Sequence, residues 1–430
     1  MGKKWKNGAV AAAIAVVAFE IFMIFILAQP TINSVGDAPD PVEVPGYNNI
    51  TANITNATHV YVEIYYPTGN LMGNFSMTRI GNAYVYGSFI WYFNTTYSYP
   101  MRLGQYKYYI KARNWTGWMT IGPYTITVQD TTPPSSNVNS ISYWNNDATL
   151  LNITASDNYA IANISLYYRF SVDNSSWSNW TFYGKDDNGT DGWNFLFTFP
   201  DGEGYYEFYS IANDTAGNTE ASPATADAKA AYDITLPQTT YSLQPSSPNG
   251  KNGWYITPVN ISFASTDTIS GIAYTKYRID KEIWQIYTKP FIISSDGSHS
   301  LEFYSVDKAG NAEEIKNITI EIDTTKPEIV LQRPLMGYLY LFDRKIWPLA
   351  SGNTIIIGKI TVRVIAFDSD SGINNVSFYV NDVLQSVDMI SPYEWIWRGD
   401  MGWKYLYAVA CNKAGLKEDT FPLHVFIFSL

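Results

Sequence analysis

Aspartates recur along this chain in three settings, and carboxylates are what a hard cation needs. Asp214 and Asp307 open short Asx-x-x-Gly turns. Asp157, Asp267 and Asp368 follow the second strand-like run of their segments. Asp130, Asp233 and Asp323 stand ahead of prolines at segment boundaries. Calcium takes roughly six to eight oxygens at about 2.3–2.6 Å, drawn from several strands and a linker. Calcium at the joints between segments is therefore the one cofactor these residues admit. The competing reading is a set of Asx turns and solvated acids, because these side chains accept bonds from their own backbone. Asp186-Asp-Asn-Gly-Thr-Asp191-Gly192 is also acidic and glycine-rich. It lacks the alternate-oxygen spacing of an EF-hand loop and reads as a glycine-rich hairpin.

Asparagine carries the second chemistry. Fifteen Asn-x-Ser/Thr sequons occur, at Asn49, Asn53, Asn56, Asn74, Asn94, Asn114, Asn152, Asn163, Asn174, Asn179, Asn188, Asn213, Asn260, Asn317 and Asn375. Such sites accept N-linked glycans in proteins outside the cell. Asn and Thr at strand edges account for part of the number. Twelve of the fifteen precede residue 234, so sugars are expected to sheathe the earlier half and leave the later half free for contact.

Aromatic rings can stack on sugars or on partner surfaces. Most of the 34 Tyr, 21 Phe and 14 Trp alternate within strand-like runs and read as core, with a tyrosine corner among them. Two groups stand apart as contact candidates: Trp177 with Trp180, and Tyr338, Tyr340, Phe342 and Trp347. The second group also reads as an added edge strand.

Catalysis finds little support. There is no Gly-x-Ser-x-Gly, no His-Glu-x-x-His and no phosphate loop. The single cysteine, Cys411, has no His near it in sequence and reads as a small buried hydrophobe. A net charge of −11 repels phosphate backbones, so no nucleic acid partner is expected. The expectation is a non-enzyme.

What must position these groups is a repeated β-structure. The chain has 430 residues, enough for about three or four domains of ordinary size. One turn signature recurs as Asn114-Trp-Thr-Gly117, Asp214-Thr-Ala-Gly217, Asp307-Lys-Ala-Gly310 and Asn412-Lys-Ala-Gly415, its glycines 100, 93 and 105 residues apart. Boundaries are marked by Asp130-Thr-Thr-Pro133-Pro134, Asp233-Ile-Thr-Leu-Pro237 and Asp323-Thr-Thr-Lys-Pro327. Proline cannot continue a hydrogen-bond ladder. Between the marks, runs such as Ile360-Thr-Val362-Arg-Val364 alternate as half-buried strands do, and an aromatic-rich run precedes each turn. Short strands in units of about 95 residues indicate β-sandwiches.

The spacing of Trp254, Pro258-Val-Asn-Ile-Ser, Asp267, Ser270-Gly271, Asp296-Gly297, Phe303-Tyr-Ser-Val-Asp307-Lys-Ala-Gly-Asn311 and Asp323-Thr-Thr-Lys-Pro327 resembles the disulfide-free immunoglobulin-like repeats of archaeal and bacterial surface proteins. Residues 157–220 and 328–428 resemble variants of the same repeat, and 38–130 resembles it more loosely. The resemblance implies surface stalks, adhesins or extensions of larger enzymes, and ions that stiffen joints in some relatives.

The N-terminal segment differs. Ala9 to Ala28 is apolar except for Glu20, follows Lys3, Lys4 and Lys6, and is followed by no Lys or Arg until Arg79. Twenty helical residues span about 30 Å, the thickness of a bilayer core. The charge asymmetry places the N-terminus in the cytoplasm and residues 29–430 outside. Glu20 is either a protonated acid or a contact between neighbouring anchors. A cleaved signal peptide is the rival, and a pilin-like leader cut after Gly8 is a weaker one.

The expected architecture is all-β: four tandem immunoglobulin-like sandwiches preceded by one hydrophobic helix. The boundaries are 1–28 for tail and anchor, 29–46 for a proline-rich spacer, and 47–130, 131–233, 234–323 and 324–430 for the sandwiches. Laid end to end, four would project on the order of 150 Å. The expected function is a membrane-anchored, N-glycosylated cell-surface stalk or adhesion protein. One alternative is a filament subunit whose apolar helix packs in the filament core. Another is a carbohydrate-binding accessory module. Expected partners are the membrane through residues 9–28, N-linked glycans, and other copies of the chain or cell-surface glycans.

Overall fold

A computed structural model of the chain describes residues 10–20, 28–81 and 87–429. Residues 10–20 form an α-helix with exposed side chains. Most of the expected anchor outside that helix lies beyond the described residues. Among the described residues no helix is long and apolar enough to cross a membrane. From residue 31 onward the elements are β-strands, apart from a 3-10 turn at Gly189–Asp191.

Two compact units divide the chain at residues 232 and 233. Each unit contains two separate cores. In the first unit these run from Val42 to Val128 and from Val138 to Ala230. In the second they run from Tyr255 to Ile322 and from Tyr340 to Ile427. Strand alternation builds them. Gly46–Thr55 buries Asn48, Ile50, Ala52 and Ile54 and turns the intervening residues outward, the period of two that a pleat imposes.

The third sandwich displays the shared plan. One sheet runs Gln238–Gln244, Val259–Thr266, Phe291–Ile293. The other runs Trp254–Tyr255, Lys316–Ile322, Gly297–Asp307, Ile272–Ile279, Gln285–Ile286. The first strand of the sandwich thus divides. Gln238–Gln244 pairs antiparallel in one sheet, and Trp254–Tyr255 pairs parallel with Lys316–Ile322 in the other. The second sandwich repeats this with Trp144–Asn145 beside Ala228–Tyr232, and the fourth with Thr354–Ile357 beside Leu423–Phe428.

The first sandwich corrects the expected spacer. Thr31–Ala38 pairs antiparallel with Gly46–Thr55, and Val42–Glu43 pairs parallel with Gly117–Gln129. Val42 and Val44 are core residues. Residues 31–43 are therefore the divided first strand, and Gly46 already begins the second. Pro39, Pro41 and Pro45 interrupt the ladder where the chain passes from one sheet to the other, since proline donates no hydrogen bond. A proline-rich stretch reads as a spacer only when its tertiary partners are unknown.

In the fourth sandwich Tyr338–Leu341 and Arg344–Pro348 form a hairpin added to the edge of the larger sheet, next to Thr354–Ile357. The added-strand reading of this segment holds. Leu423–Phe428 is the last strand and pairs with Met401–Asn412.

The position eleven residues before each turn glycine is locked to a residue four places upstream. Tyr106 donates to the Arg102 carbonyl at 2.8 Å and Tyr206 to the Gly202 carbonyl at 2.7 Å, both tyrosine corners. In the third sandwich His299 Nε2 donates to the Ser295 carbonyl at 3.0 Å. In the fourth Lys404 pairs with Asp400 at 2.6 Å. One place in the fold is held by three chemistries.

Phe303 is buried at the centre of the third core and lies 4.7 Å from Phe263, centroid to centroid. Phe303→Ala is expected to destabilise this sandwich by about 3–5 kcal/mol, read as an earlier transition in chemical denaturation.

Candidate functional site

The repeated acids converge at one end of the second, third and fourth sandwiches. In the second, Asp130, Asp157 and Asp214 each place a carboxylate oxygen within 4.8 Å of the others. Asp130 ends the linker, Asp157 follows the strand Thr149–Ser156, and Asp214 ends the strand Gly204–Asp214. The turn holds Asp214. Its Oδ1 accepts from the backbone N–H groups of Ala216, Gly217 and Asn218 at 2.8, 2.7 and 2.8 Å. Asp130 Oδ1 accepts from Thr132 N and Asn158 Nδ2, and Asp157 Oδ2 accepts from Tyr159 N. Asp130 Oδ2 and Asp157 Oδ1 are buried and accept nothing from the protein. Asp130 is only 7% exposed.

The third sandwich repeats the trio as Asp233, Asp267 and Asp307, again within 4.8 Å. Asp233 and Asp307 are buried, and Asp267 Oδ2 is a buried oxygen without a protein donor. Burial pushes the carboxyls of Asp130 and Asp233 above their ordinary value. Asp323, at the matching place in the fourth sandwich, is raised for the same reason.

The fourth sandwich departs from the pattern at one atom. Its trio is Asp323, Asp368 and Asn412. Asn412 Oδ1 accepts from Leu416 N at 2.8 Å, the role that Asp307 Oδ1 fills for Asn311 N. Its Nδ2 donates to Asp323 Oδ2 at 2.8 Å, to Asp368 Oδ2 at 3.0 Å and to the Thr325 carbonyl at 3.2 Å. A second group, Asp296, Asp323 and Asp370, also gathers one oxygen from each within 4.8 Å. Asp296 and Asp370 were not singled out as ligand candidates in the sequence, because each belongs to a loop that meets Asp323 only in the fold. In the first sandwich Asn114 stands at the turn, and its Nδ2 donates to the carbonyls of Ala28 and Asn56 at 2.7 and 2.9 Å. Of the eight candidate aspartates, the structure brings six into two complete trios and two into the amide-closed one.

Glu220 and Glu313, three residues past the turn glycines, also escaped sequence reasoning. Glu313 is buried and accepts from Ser305 N at 2.8 Å, Thr239 N at 3.1 Å and Lys316 Nζ at 2.8 Å. Glu220 accepts from Ser136 N and Ala212 N. Each ties the first strand to the strand before the turn. The spacing Gly-Asn-x-Glu at 217–220 and 310–313 was the available signal.

The remaining candidates divide by environment. Trp177 and Trp180 lie over the Arg169 guanidinium at 5.1 and 4.7 Å, and Trp180 meets Tyr209 edge-on. These rings are engaged within the sandwich. Tyr340 is core and is not a contact residue, whereas Phe342 and Trp347 are exposed at the added hairpin. Within residues 186–192 Gly189–Asp191 forms an exposed 3-10 turn, at whose start Asn188 Oδ1 accepts from Thr190 N, and the acids there join neither trio. Cys411 is buried, and its thiol donates to the Asn412 carbonyl at 3.5 Å.

None of the fifteen sequon asparagines is buried. Asn74, Asn94, Asn152, Asn174, Asn179, Asn188, Asn260 and Asn317 are the exposed ones. Asn114 presents its amide nitrogen inward to two carbonyls, the atom a sugar would occupy.

A Ser-His-Asp constellation is also present. His299 lies 3.1 Å from Ser295 Oγ through Nε2 and 2.8 Å from Asp280 Oδ2 through Nδ1. Nε2 also faces the Ser295 carbonyl, so it donates there. With Nδ1 donating to the carboxylate, the ring has no lone pair left to take a serine proton. This is a corner lock and not a nucleophile relay.

A family profile described as a bacterial Ig domain matches residues 350–407, and one described as a bacterial Ig-like domain matches residues 285–324. Both matched ranges lie within two-sheet sandwiches of the fold described above. The chain carries tandem immunoglobulin-like repeats. No curated protein sequence matches it. Similar solved structures include the fibronectin(III)-like modules of Clostridium thermocellum CbhA, 17% identical, covering 44% of this chain and 94% of that one at a TM-score of 0.24. Another is the tetra-tandem repeat in the extending region of a large adhesion protein, 14% identical, covering 92% and 99% at 0.31. The N-terminal four Ig domains of Dscam1 isoform 1.9 are 10% identical, covering 94% and 100% at 0.24. At these scores the assignment rests on the two profiles and the topology. Tandem Ig-like domains are typical of cell-surface and adhesion proteins, and such proteins are typically non-enzymatic.

The His299 lock makes a pH prediction. Burial draws the imidazole pKa down, but Asp280 and the Ser295 carbonyl outweigh it and hold the pKa above the ordinary value. Its stabilisation is complete below the unfolded pKa of about 6.5 and is lost as pH rises through the higher folded value. The Asp280 side chain is 45% exposed, so solvent screening limits the pair to about 1 kcal/mol. His299→Gln should lower stability most near pH 5.5–6, with the deficit shrinking above pH 8, as read by denaturation at each pH. A deficit independent of pH would contradict the protonated lock.

Proposed function

We propose that this protein is a membrane-anchored, N-glycosylated surface stalk or adhesion protein that carries its Ig-like repeats outside the cell. The observation that carries the reading is the series of separately cored, disulfide-free sandwiches in one chain. Each core is closed by its own pair of sheets, so a repeat adds a folded module without changing its neighbours' interiors. Modules of this kind hold a surface at a distance or offer it for adhesion.

Two further observations support the finer parts. Residues 10–20 are an apolar helix with exposed side chains, and Val10, Ile14, Val16, Val17 and Phe19 all face outward. Such a surface is covered favourably by lipid. The lysines at positions 3, 4 and 6 orient it with the N-terminus in the cytoplasm. Exposed sequon asparagines are concentrated before residue 234, six of the eight, so glycans would cover the half nearer the anchor.

Two measurements test this. Native protein should stay in the membrane pellet at alkaline pH and be shaved from intact cells by protease. Release into the supernatant removes the anchor. N-terminal sequencing then decides between anchor and filament. An intact residue 1 supports the anchor, and a chain beginning at Ala9 supports a filament subunit. Glycopeptide mass spectrometry should find sugar at Asn74, Asn94, Asn152, Asn174 and Asn179 and none at Asn114, whose amide is taken by the Ala28 and Asn56 carbonyls. Occupancy at Asn114 in folded protein would contradict the inward amide.

A further inference from the structure

We propose that the repeated turn closes the base of a sandwich in two chemically different ways: Asp214 closes it on a divalent cation of the calcium class, and Asn412 closes it with its own amide and needs no ion. The same position in the repeat is thus a metal ligand in one sandwich and a cation substitute in another.

The first half stands on the trio Asp130, Asp157 and Asp214. Two oxygens bound to one calcium at about 2.4 Å can lie no more than about 4.8 Å apart, and the oxygens of this trio meet that limit. Proximity alone would be only an acidic cluster. The second observation is that Asp130, 7% exposed, buries Oδ2 without any protein donor, and Asp157 does the same with Oδ1. Buried carboxylate oxygens without donors, on acids gathered this closely, call for a positive charge or a proton. Among the described residues no lysine or arginine hydrogen-bonds to any of the three. Of the donors that do, Thr132 N, Asn158 Nδ2 and Tyr159 N take the other oxygens of Asp130 and Asp157, and the turn amides take Asp214 Oδ1. Asn218 Nδ2 binds Asp214 Oδ2 at 2.7 Å and the Asp130 carbonyl at 3.0 Å, which orients the acid and the linker without neutralising them. Oxygen ligands from a linker, a strand end and a turn suit calcium better than a softer metal.

The second half stands on Asn412. Its Nδ2 reaches one oxygen of Asp323 and one of Asp368 at 2.8 and 3.0 Å. These are the two residues that match Asp130 and Asp157. The amide hydrogens therefore point where an ion would sit, and one negative charge fewer remains to be balanced. The Asp233, Asp267 and Asp307 trio is built like the first.

The experiment uses the full chain in detergent. Terbium luminescence, with calcium as competitor, counts bound ions. Asp157→Asn keeps an acceptor for Tyr159 N and removes the charge, and it should bind one equivalent fewer than the parent. Equal binding by parent and variant, or no binding by the parent at millimolar calcium, overturns the cation site. Cys411, the only cysteine, is buried beside Asn412 and reports on the fourth sandwich separately. In the parent its reaction with a thiol reagent should be indifferent to chelator. In Asn412→Asp it should rise about tenfold or more in chelator through local opening and return to the parent rate with calcium. A parent thiol exposed by chelation, or an Asn412→Asp thiol protected without calcium, overturns the amide substitute while leaving the first site standing. Failure of membrane or glycan tests leaves both results unaffected.

Discussion

At the turn of every sandwich an asparagine amide grips the main chain that leads into that sandwich. Asn114 Nδ2 donates to the Ala28 carbonyl, Asn218 Nδ2 to that of Asp130, Asn311 Nδ2 to that of Asp233, and Asn412 Nδ2 to that of Thr325. A carbonyl left without a donor is costly, and in the second, third and fourth sandwiches the gripped residue lies just ahead of a boundary proline. The amide supplies the missing bond and fixes where the next sandwich begins. In the second and third sandwiches the amide belongs to the residue after the turn glycine, and an aspartate at the turn's start holds it. In the first and fourth the turn's first residue is itself the asparagine. The acids gathered around this clamp follow from it, because the clamp draws linker, strand end and turn into one place.

The same economy of position appears at the corner. Tyr106, Tyr206, His299 and Lys404 occupy one place in the repeat and each reaches four residues back. The fold requires a donor long enough to span the bend and does not require a particular group. The consequence is that the third and fourth sandwiches respond to solution conditions differently from the first two. A phenol is indifferent to pH near neutrality, an imidazole is not, and a half-buried ammonium pair is partly sensitive to salt. Glu220 and Glu313 likewise bind the first strand of their sandwiches, whereas in the fourth the Thr420 hydroxyl accepts from Ala408 N instead.

Much of the fold was legible along the chain. Strand alternation, aromatic runs and Asx-x-x-Gly turns are local, and they marked out the repeated sandwiches. The spacer was misread because Pro39, Pro41 and Pro45 describe only what a chain cannot do. Their partners, Gly46–Thr55 and Gly117–Gln129, come later in sequence. Tyr340 was misjudged for a similar reason. A short apolar run does not say which of its rings faces the core until its neighbour strand is known.

The sequence by itself determined the repeat, the class of fold and the eight aspartates worth watching, because period-two burial and turn chemistry depend on residues a few positions apart. Only the tertiary structure decided which oxygens meet. Asn412 and Asp323 are 89 residues apart, and Glu220 and Glu313 lie 84 and 74 residues from the first-strand residues they bind. No local rule reports contacts at that distance. Whether a turn that begins with Asn rather than Asp changes the chemistry is likewise undecided by spacing. It depends on where the second side-chain atom points, and the packing of linker against strand end sets that direction.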